Sequence, residues 1–151
     1  LRYLTKANTF NYRVIRNFSK LFTKEHEWVQ LENDIATIGI TDYAQNELGE
    51  IVHCELPKVG ERFKEGDSLV IILNIGALES VKTAADVYSP LEGTVHEVND
   101  KLTKTPKLIN THPQSQGWYA KLKVDSAKSK PHLDKLMSED AYNKYLQDLK
   151  K

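Results

Sequence analysis

The sequence predicts a mainly β fold with a short internal helix and helices at its C-terminal end. Three observations carry this. Residues 27–98 divide into short runs of β-branched and aromatic residues separated by turn formers. A glycine-led strand segment recurs at an offset of 44: Gly49-Glu50-Ile51 matches Gly93-Thr94-Val95, and Cys54 matches Val98. Beyond residue 130 the apolar residues change from strand-like to helical spacing. At 151 residues the chain has the length of about one ordinary domain.

The elements follow in order. Glu27–Leu31 and Ile35–Ile40 flank the polar turn Glu32-Asn33-Asp34 and read as a hairpin. Thr41 is placed to cap a short helix through Tyr43–Leu48, with Gly49 as its stop. Ile51–Leu56 reads as a strand closed by Pro57, since proline cannot continue a central ladder. Gly60 and Gly66 mark tight turns around a short strand at Arg62-Phe63. Leu69–Leu73 is a continuous apolar run, as expected of a buried strand. The repeat suggests two like half-sheets around one core. After Val98 the chain is loop-rich through Pro106, Pro113 and Gly117, and Trp118–Val124 then alternates as a final strand. In the tail, Pro131 is expected to open one helix carrying Leu133, Leu136 and Met137. Ser138 is expected to cap a second carrying Tyr142, Tyr145, Leu146 and Leu149. Together they read as a helical cover over one side of the β core.

The net charge of zero hides an asymmetry. Residues 1–24 contain Arg2, Lys6, Arg13, Arg16, Lys20 and Lys24 and no acid, leaving 15 basic against 21 acidic residues in the rest. With its scattered hydroxyls and aromatics, this stretch reads as a targeting leader over residues 1–20, ahead of a domain over 21–151. Arg16-Asn17-Phe18-Ser19 resembles a mitochondrial processing site, which places a cut near Phe18 and the mature protein in the mitochondrial matrix. The competing reading is a basic arm with no targeting value. No window is long and apolar enough for a membrane-spanning helix. The balanced charge lacks a nucleic-acid footprint. One cysteine, Cys54, excludes an internal disulfide and a paired-cysteine zinc site, and His26, His53, His96, His112 and His132 show no metal-binding spacing. No nucleophile elbow, phosphate-binding loop or dinucleotide motif is present, so an autonomous enzyme is poorly supported.

What remains is Glu79-Ser80-Val81-Lys82. From composition alone Lys82 would be a solvated surface lysine. Its surroundings say more. Residues 22–149 resemble the H protein of the glycine cleavage system from end to end. The strongest stretches are His26–Val29, Ala36–Thr41, Ala44-Gln45, Leu48–Val52, Leu56–Gly60, Gly76–Lys82, Tyr88–Gly93 and Gly117-Trp118. The resemblance implies a barrel-sandwich hybrid of the lipoyl/biotinyl-like kind. Residues 76–90 become strand, turn and strand, with Lys82 at a hairpin tip. It further implies lipoate attached to the Lys82 amine, with Glu79, Ser80 and Val81 completing the attachment motif. Acylation removes the lysine's charge. Tethering keeps a reactive disulfide at high effective concentration near successive active sites.

The resemblance implies a role and partners. Such a carrier takes the methylamine group of glycine from glycine decarboxylase, a pyridoxal phosphate enzyme. It delivers the group to the tetrahydrofolate-dependent aminomethyltransferase and passes electrons to dihydrolipoyl dehydrogenase. A lipoate-attaching enzyme modifies it first. Between partners the loaded arm shelters in a cleft, and the matching positions are Glu27, Ile40 and Asp86. Glu27 would meet the arm's ammonium, Ile40 would pack on its hydrocarbon, and Trp28 is assigned to the core. The alternative for Glu27 is a solvent-facing strand carboxylate. One departure stands out: Leu69–Ile75 is six residues longer than the family pattern. An even insertion preserves side-chain facing. The lengthened strand must then find a partner or expose Val70, Ile71, Ile72 and Leu73 as an adhesive edge.

Other readings remain. The chain would be a lipoyl donor that relays lipoate to other complexes without glycine chemistry. A biotin carrier is disfavoured because no methionine flanks Lys82. A small hydrolase or isomerase would need His26, Glu27 and Asp86 to converge in one pocket.

Overall fold

The computed structural model describes residues 19–76 and 81–150. Two antiparallel sheets enclose a shared core. The larger has six strands in the order β1-β2-β3-β9-β8-β5 and the smaller has three in the order β4-β6-β7. The strands are β1 Lys20–Phe22, β2 Glu27–Glu32, β3 Ile35–Ile40, β4 Glu50–Glu55, β5 Arg62–Phe63, β6 Ser68–Ile75, β7 Lys82–Tyr88, β8 Gly93–Val98 and β9 Ala120–Lys123. The helices are α1 Asp42–Leu48, α2 Lys101–Lys104, α3 Leu108–Thr111, α4 Ser126–Asp134 and α5 Glu139–Leu149. This is the mainly β, two-sheet architecture expected.

Local chemistry explains the first half. The β2–β3 hairpin turns at Asn33, whose φ of 55° suits a residue that tolerates the left-handed region. Thr41 Oγ1 accepts the Ala44 amide and opens α1, which stops at Gly49 with φ 84°. Trp28 lies opposite Gly39 in the hairpin. A Cβ at that glycine would stand 2.7 Å from the indole nitrogen, so only glycine admits the ring.

The offset-44 repeat is physical. β4 and β8 occupy different sheets, and each shifts register at the same repeat position: between Ile51 and His53 in β4, and between Val95 and Glu97 in β8. Ile51 and Val95 are both buried in the common core. The inner faces of both sheets, including Ile38, Ile72, Val87 and Leu122, meet there.

The apolar run Leu69–Leu73 falls in β6, which is the central strand of its sheet. Ile71, Ile72 and Leu73 pair with β4 on one side and β7 on the other. Val70 and Ile72 are buried, so the apolar run is spent on the core instead of forming an edge.

Three details of the second half differ from expectation. The loop-rich stretch after Val98 contains the single-turn helices α2 and α3, anchored by the buried Leu102 and Ile109. Pro131 does not open the first tail helix. That helix begins five residues earlier, because the Asp125 carboxylate accepts the Ala127 and Lys128 amides and supplies a strong cap. Leu136 and Met137 lie outside helices: Met137 exchanges backbone hydrogen bonds with Phe22 in the connector to α5. Ser138 does cap α5. Tyr142 of that helix stacks on Phe22 at 4.7 Å and packs with Trp28, forming a second small core on the outer face of β1 and β2.

Candidate functional site

β2 alternates between two environments. Trp28 faces the outer cluster, while Val29 faces the main core. Glu27 has the same parity as Val29 and therefore turns inward, at the first residue of the strand. Its carboxylate opens on a cavity of about 480 Å³. It is lined by the β1–β2 turn from Phe22 to Glu25, by Glu65 and Gly66, by Tyr88–Pro90, and by Lys135, Leu136 and Met137.

Glu27 is 5% exposed. Thr23 Oγ1 donates to its Oε1 at 2.7 Å and accepts the Glu27 amide at 3.0 Å. Burial pushes the carboxyl up to about 7; the Thr23 hydrogen bond opposes the rise and nearby Glu25 adds to it. The group is therefore held closer to its neutral form than an ordinary carboxyl, and a cationic guest would favour its charged form. Tyr119 is completely buried, and its hydroxyl has no partner among the described residues. Burial, and then the Glu27 charge, raise its pKa well above the phenol range. It stays neutral.

The sequence-derived residues fall in distinct places. Ile40 is the direct cross-strand partner of Glu27 and is buried in the main core. Asp86 lies on the other sheet, exposed, and accepts the Ser68 hydroxyl at 2.7 Å. It does not line the Glu27 cavity. Tyr88, two residues further on the same face of β7, does. Lys82, Ala84, Asp86 and Tyr88 form an exposed stripe along β7, with Lys82 at one end and the cavity wall at the other. Lys82 opens β7, paired with Ile75, and so stands beside the hairpin connection instead of within it. Val81 precedes it, 51% exposed, its carbonyl accepting the Gly76 amide. Glu79 and Ser80 lie outside the described residues.

His26, Glu27 and Asp86 do not converge. The His26 ring turns elsewhere: its Nδ1 bonds the Tyr142 hydroxyl at 2.8 Å and the ring packs on Tyr43 at 4.4 Å. A hydrolytic constellation of these three is not assembled. Burial lowers the pKa of His26 despite Glu25 and Glu47. Cys54 is buried, and its thiol is pushed up to about 12, far from a reactive thiolate. Thr23, Tyr88 and Met137 were not singled out by sequence reading. Tyr88 opens a stretch that matches the family and Met137 was placed on a tail helix, but neither signal points to the site, because the chain brings the three together only through tertiary packing.

A lipoyl group fits this arrangement. An exposed lysine begins a stripe along β7 that ends at a cavity with a buried carboxylate, lined by Phe22, Tyr88, Leu136 and Met137 together with the charged Lys24, Glu25, Glu65 and Lys135. Comparison with known proteins identifies the family. The family model described as glycine cleavage H-protein matches residues 20–149. The chain is 45% identical over 128 residues to the glycine cleavage system H protein of Parvibaculum lavamentivorans, covering 85% of this chain and 95% of that one. It is 43% identical over 126 residues to the namesake of Thermotoga maritima, covering 83% and 94%. In fold it resembles the crystal structure of a glycine cleavage system H protein from Mycobacterium marinum. The TM-score is 0.71 at 24% identity, covering 86% of this chain and 98% of that one. The chain therefore belongs to the glycine cleavage H-protein family, a barrel-sandwich carrier that serves glycine cleavage and is not itself an enzyme.

Proposed function

We propose that this chain carries lipoate on the Lys82 amine, transports the methylamine group of glycine and passes on the electrons of its oxidation. The observation that supports this most is the course of β7, which runs from an exposed Lys82 to the wall of the Glu27 cavity. When bound, lipoate supplies a two-electron disulfide–dithiol couple and a sulfur to which a one-carbon group attaches. The chain's own residues do the rest. Lys82 offers its amine outside the core, where a lipoate-attaching enzyme reaches it. Glu79, Ser80 and Val81 give that enzyme its local motif. Glu27 holds a carboxylate for the cargo's ammonium, and the charge-assisted contact is strong because the site is shielded from bulk water. Ile40, buried beside Glu27, makes the adjoining surface apolar, and Phe22, Leu136 and Met137 keep water off the cargo. Asp86 acts on the path, from the stripe, and not inside the cavity.

The partners follow from this role: glycine decarboxylase, aminomethyltransferase, dihydrolipoyl dehydrogenase and a lipoate-attaching enzyme. We favour glycine cleavage over a pure lipoyl relay, because a relay has no use for a buried carboxylate at the end of the lysine's path. We place the protein in the mitochondrial matrix, with residues 1–20 as the leader and 21–151 as the carrier domain. That rests on the basic, acid-free stretch 1–24 alone. The relatives named above are bacterial. Intact mass of the protein from its native source tests the proposal: a lipoyl adduct lost in Lys82→Arg supports it, and an unmodified Lys82 in lipoate-replete cells refutes it.

A further inference from the structure

We infer that Thr23 is a positioning residue for the cargo, acting through Glu27: its hydroxyl fixes one carboxylate oxygen so that the other faces the cavity. This rests on the role proposed for Glu27.

The geometry begins in the β1–β2 turn. The Thr23 amide donates to the Glu27 carbonyl at 3.0 Å, and the His26 amide donates to the Thr23 carbonyl at 3.2 Å. His26 closes the turn with φ 71°, a conformation uncommon for a non-glycine residue. The backbones of Thr23 and Glu27 are thus held face to face before any side chain is considered. The Glu27 amide then donates to Thr23 Oγ1. With that oxygen already accepting, its single proton is directed to Glu27 Oε1 at 2.7 Å. A hydroxyl bonded this way has no freedom to rotate elsewhere.

Among the described residues, Thr23 is the only group that hydrogen-bonds the Glu27 carboxylate. It engages Oε1 and leaves Oε2 for a guest. Thr23 is itself buried at 7% exposure, so water does not compete for the hydroxyl. A free carboxylate at a strand end would rotate between several orientations and present either oxygen. Here rotation breaks a short, buried, charge-assisted hydrogen bond. Thr23 also lines the same cavity. The chemistry needed at position 23 is a hydroxyl. Valine has the same shape without it, and serine has the hydroxyl without the methyl.

The test uses the full-length lipoylated protein, loaded by incubation with glycine and glycine decarboxylase and then freed of enzyme. Release of ammonia and formaldehyde is followed over time. Thr23→Val is expected to speed release about tenfold, the size of one hydrogen bond to a charged group. Thr23→Ser is expected to match the wild type. In the unloaded proteins, 13C NMR of the Glu27 carboxyl is expected to show its titration midpoint moved upward in Thr23→Val and unchanged in Thr23→Ser. If Thr23→Val does not fold, Thr23→Ala serves with the same expectations. Release and midpoint both unchanged in the hydroxyl-free variant overturn the inference, as does a serine variant that behaves like valine. Glu27→Gln separates the two levels. If it leaves release unchanged, the reading of Glu27 itself fails. If it speeds release while the hydroxyl-free variant does not, only the role of Thr23 fails.

Discussion

Replacing Glu27 by Gln should stabilise the unloaded protein at alkaline pH and leave it nearly unchanged in acid. Gln keeps the shape, and its carbonyl accepts the Thr23 hydroxyl, so the substitution removes charge and little else. The Glu27 carboxyl has an ordinary value of 4.5 and is raised by burial to about 7. A raised carboxyl means that the folded protein binds the proton more tightly than the unfolded chain. Below about pH 4.5 both states are protonated and there is no penalty. Between 4.5 and 7 the unfolded chain ionises first and stability falls. Above 7 the loss is complete. The gap between the two values, at about 1.36 kcal/mol per pH unit, corresponds to about 3 kcal/mol. In a chain of this size that is roughly 6–12 °C in Tm. Urea denaturation of both proteins at pH 4, 5.5 and 8 measures it, and taking the difference cancels every other titrating group. The expected gain of Glu27→Gln is near zero at pH 4, intermediate at 5.5 and about 3 kcal/mol at 8. A difference that is flat with pH, or a wild type more stable than the variant at pH 8, would refute the claim that this carboxylate is held at a desolvation cost.

Two further predictions concern the frame that presents Lys82 and Glu27. Asn74 is buried in β6, its amide bonded to the Leu48 carbonyl and its carbonyl accepting the Thr83 hydroxyl at 3.1 Å. Asn74→Ala should cost about 1–3 kcal/mol in urea denaturation, because it strands a buried carbonyl and loosens the strand beside Lys82. Gly39→Ala should cost about 1–3 kcal/mol through overpacking, and should alter the Trp28 fluorescence. The indole is held at Pro113 by its own hydrogen bond and cannot retreat.

The parts of the fold that local chemistry decides were legible in the sequence. The β2–β3 hairpin, the Thr41 cap, the Gly49 stop and the Ser138 cap each depend on residues within a few positions of one another. Even the repeat at offset 44 proved to carry a register shift in both copies. The single-turn helices α2 and α3 were not legible, because no side chain caps them and they are held by burying Leu102 and Ile109. The start of α4 was misjudged because proline at a first turn and proline inside a helix leave the same mark in a sequence. Asp125, which decides the matter, carries no hydrophobic period. At the site, the motif around Lys82 was specific. Glu27 and Ile40 were implied by the family resemblance, and the β2–β3 register makes them direct partners. The separation of Asp86 from the cavity did not, since it depends on how the two sheets pack. Thr23 was invisible for a similar reason: its importance lies in a turn closed by a left-handed histidine.

The most direct test of the carrier account is the intact mass of the protein purified from the cells that make it, before and after incubation with glycine and glycine decarboxylase. The account predicts one lipoyl adduct, absent in Lys82→Arg. It also predicts an N-terminus near residue 19 and a second, glycine-dependent mass increment that aminomethyltransferase with tetrahydrofolate removes. A chain that bears lipoate on Lys82 but never gains the glycine-dependent increment would contradict it and leave the relay reading in its place.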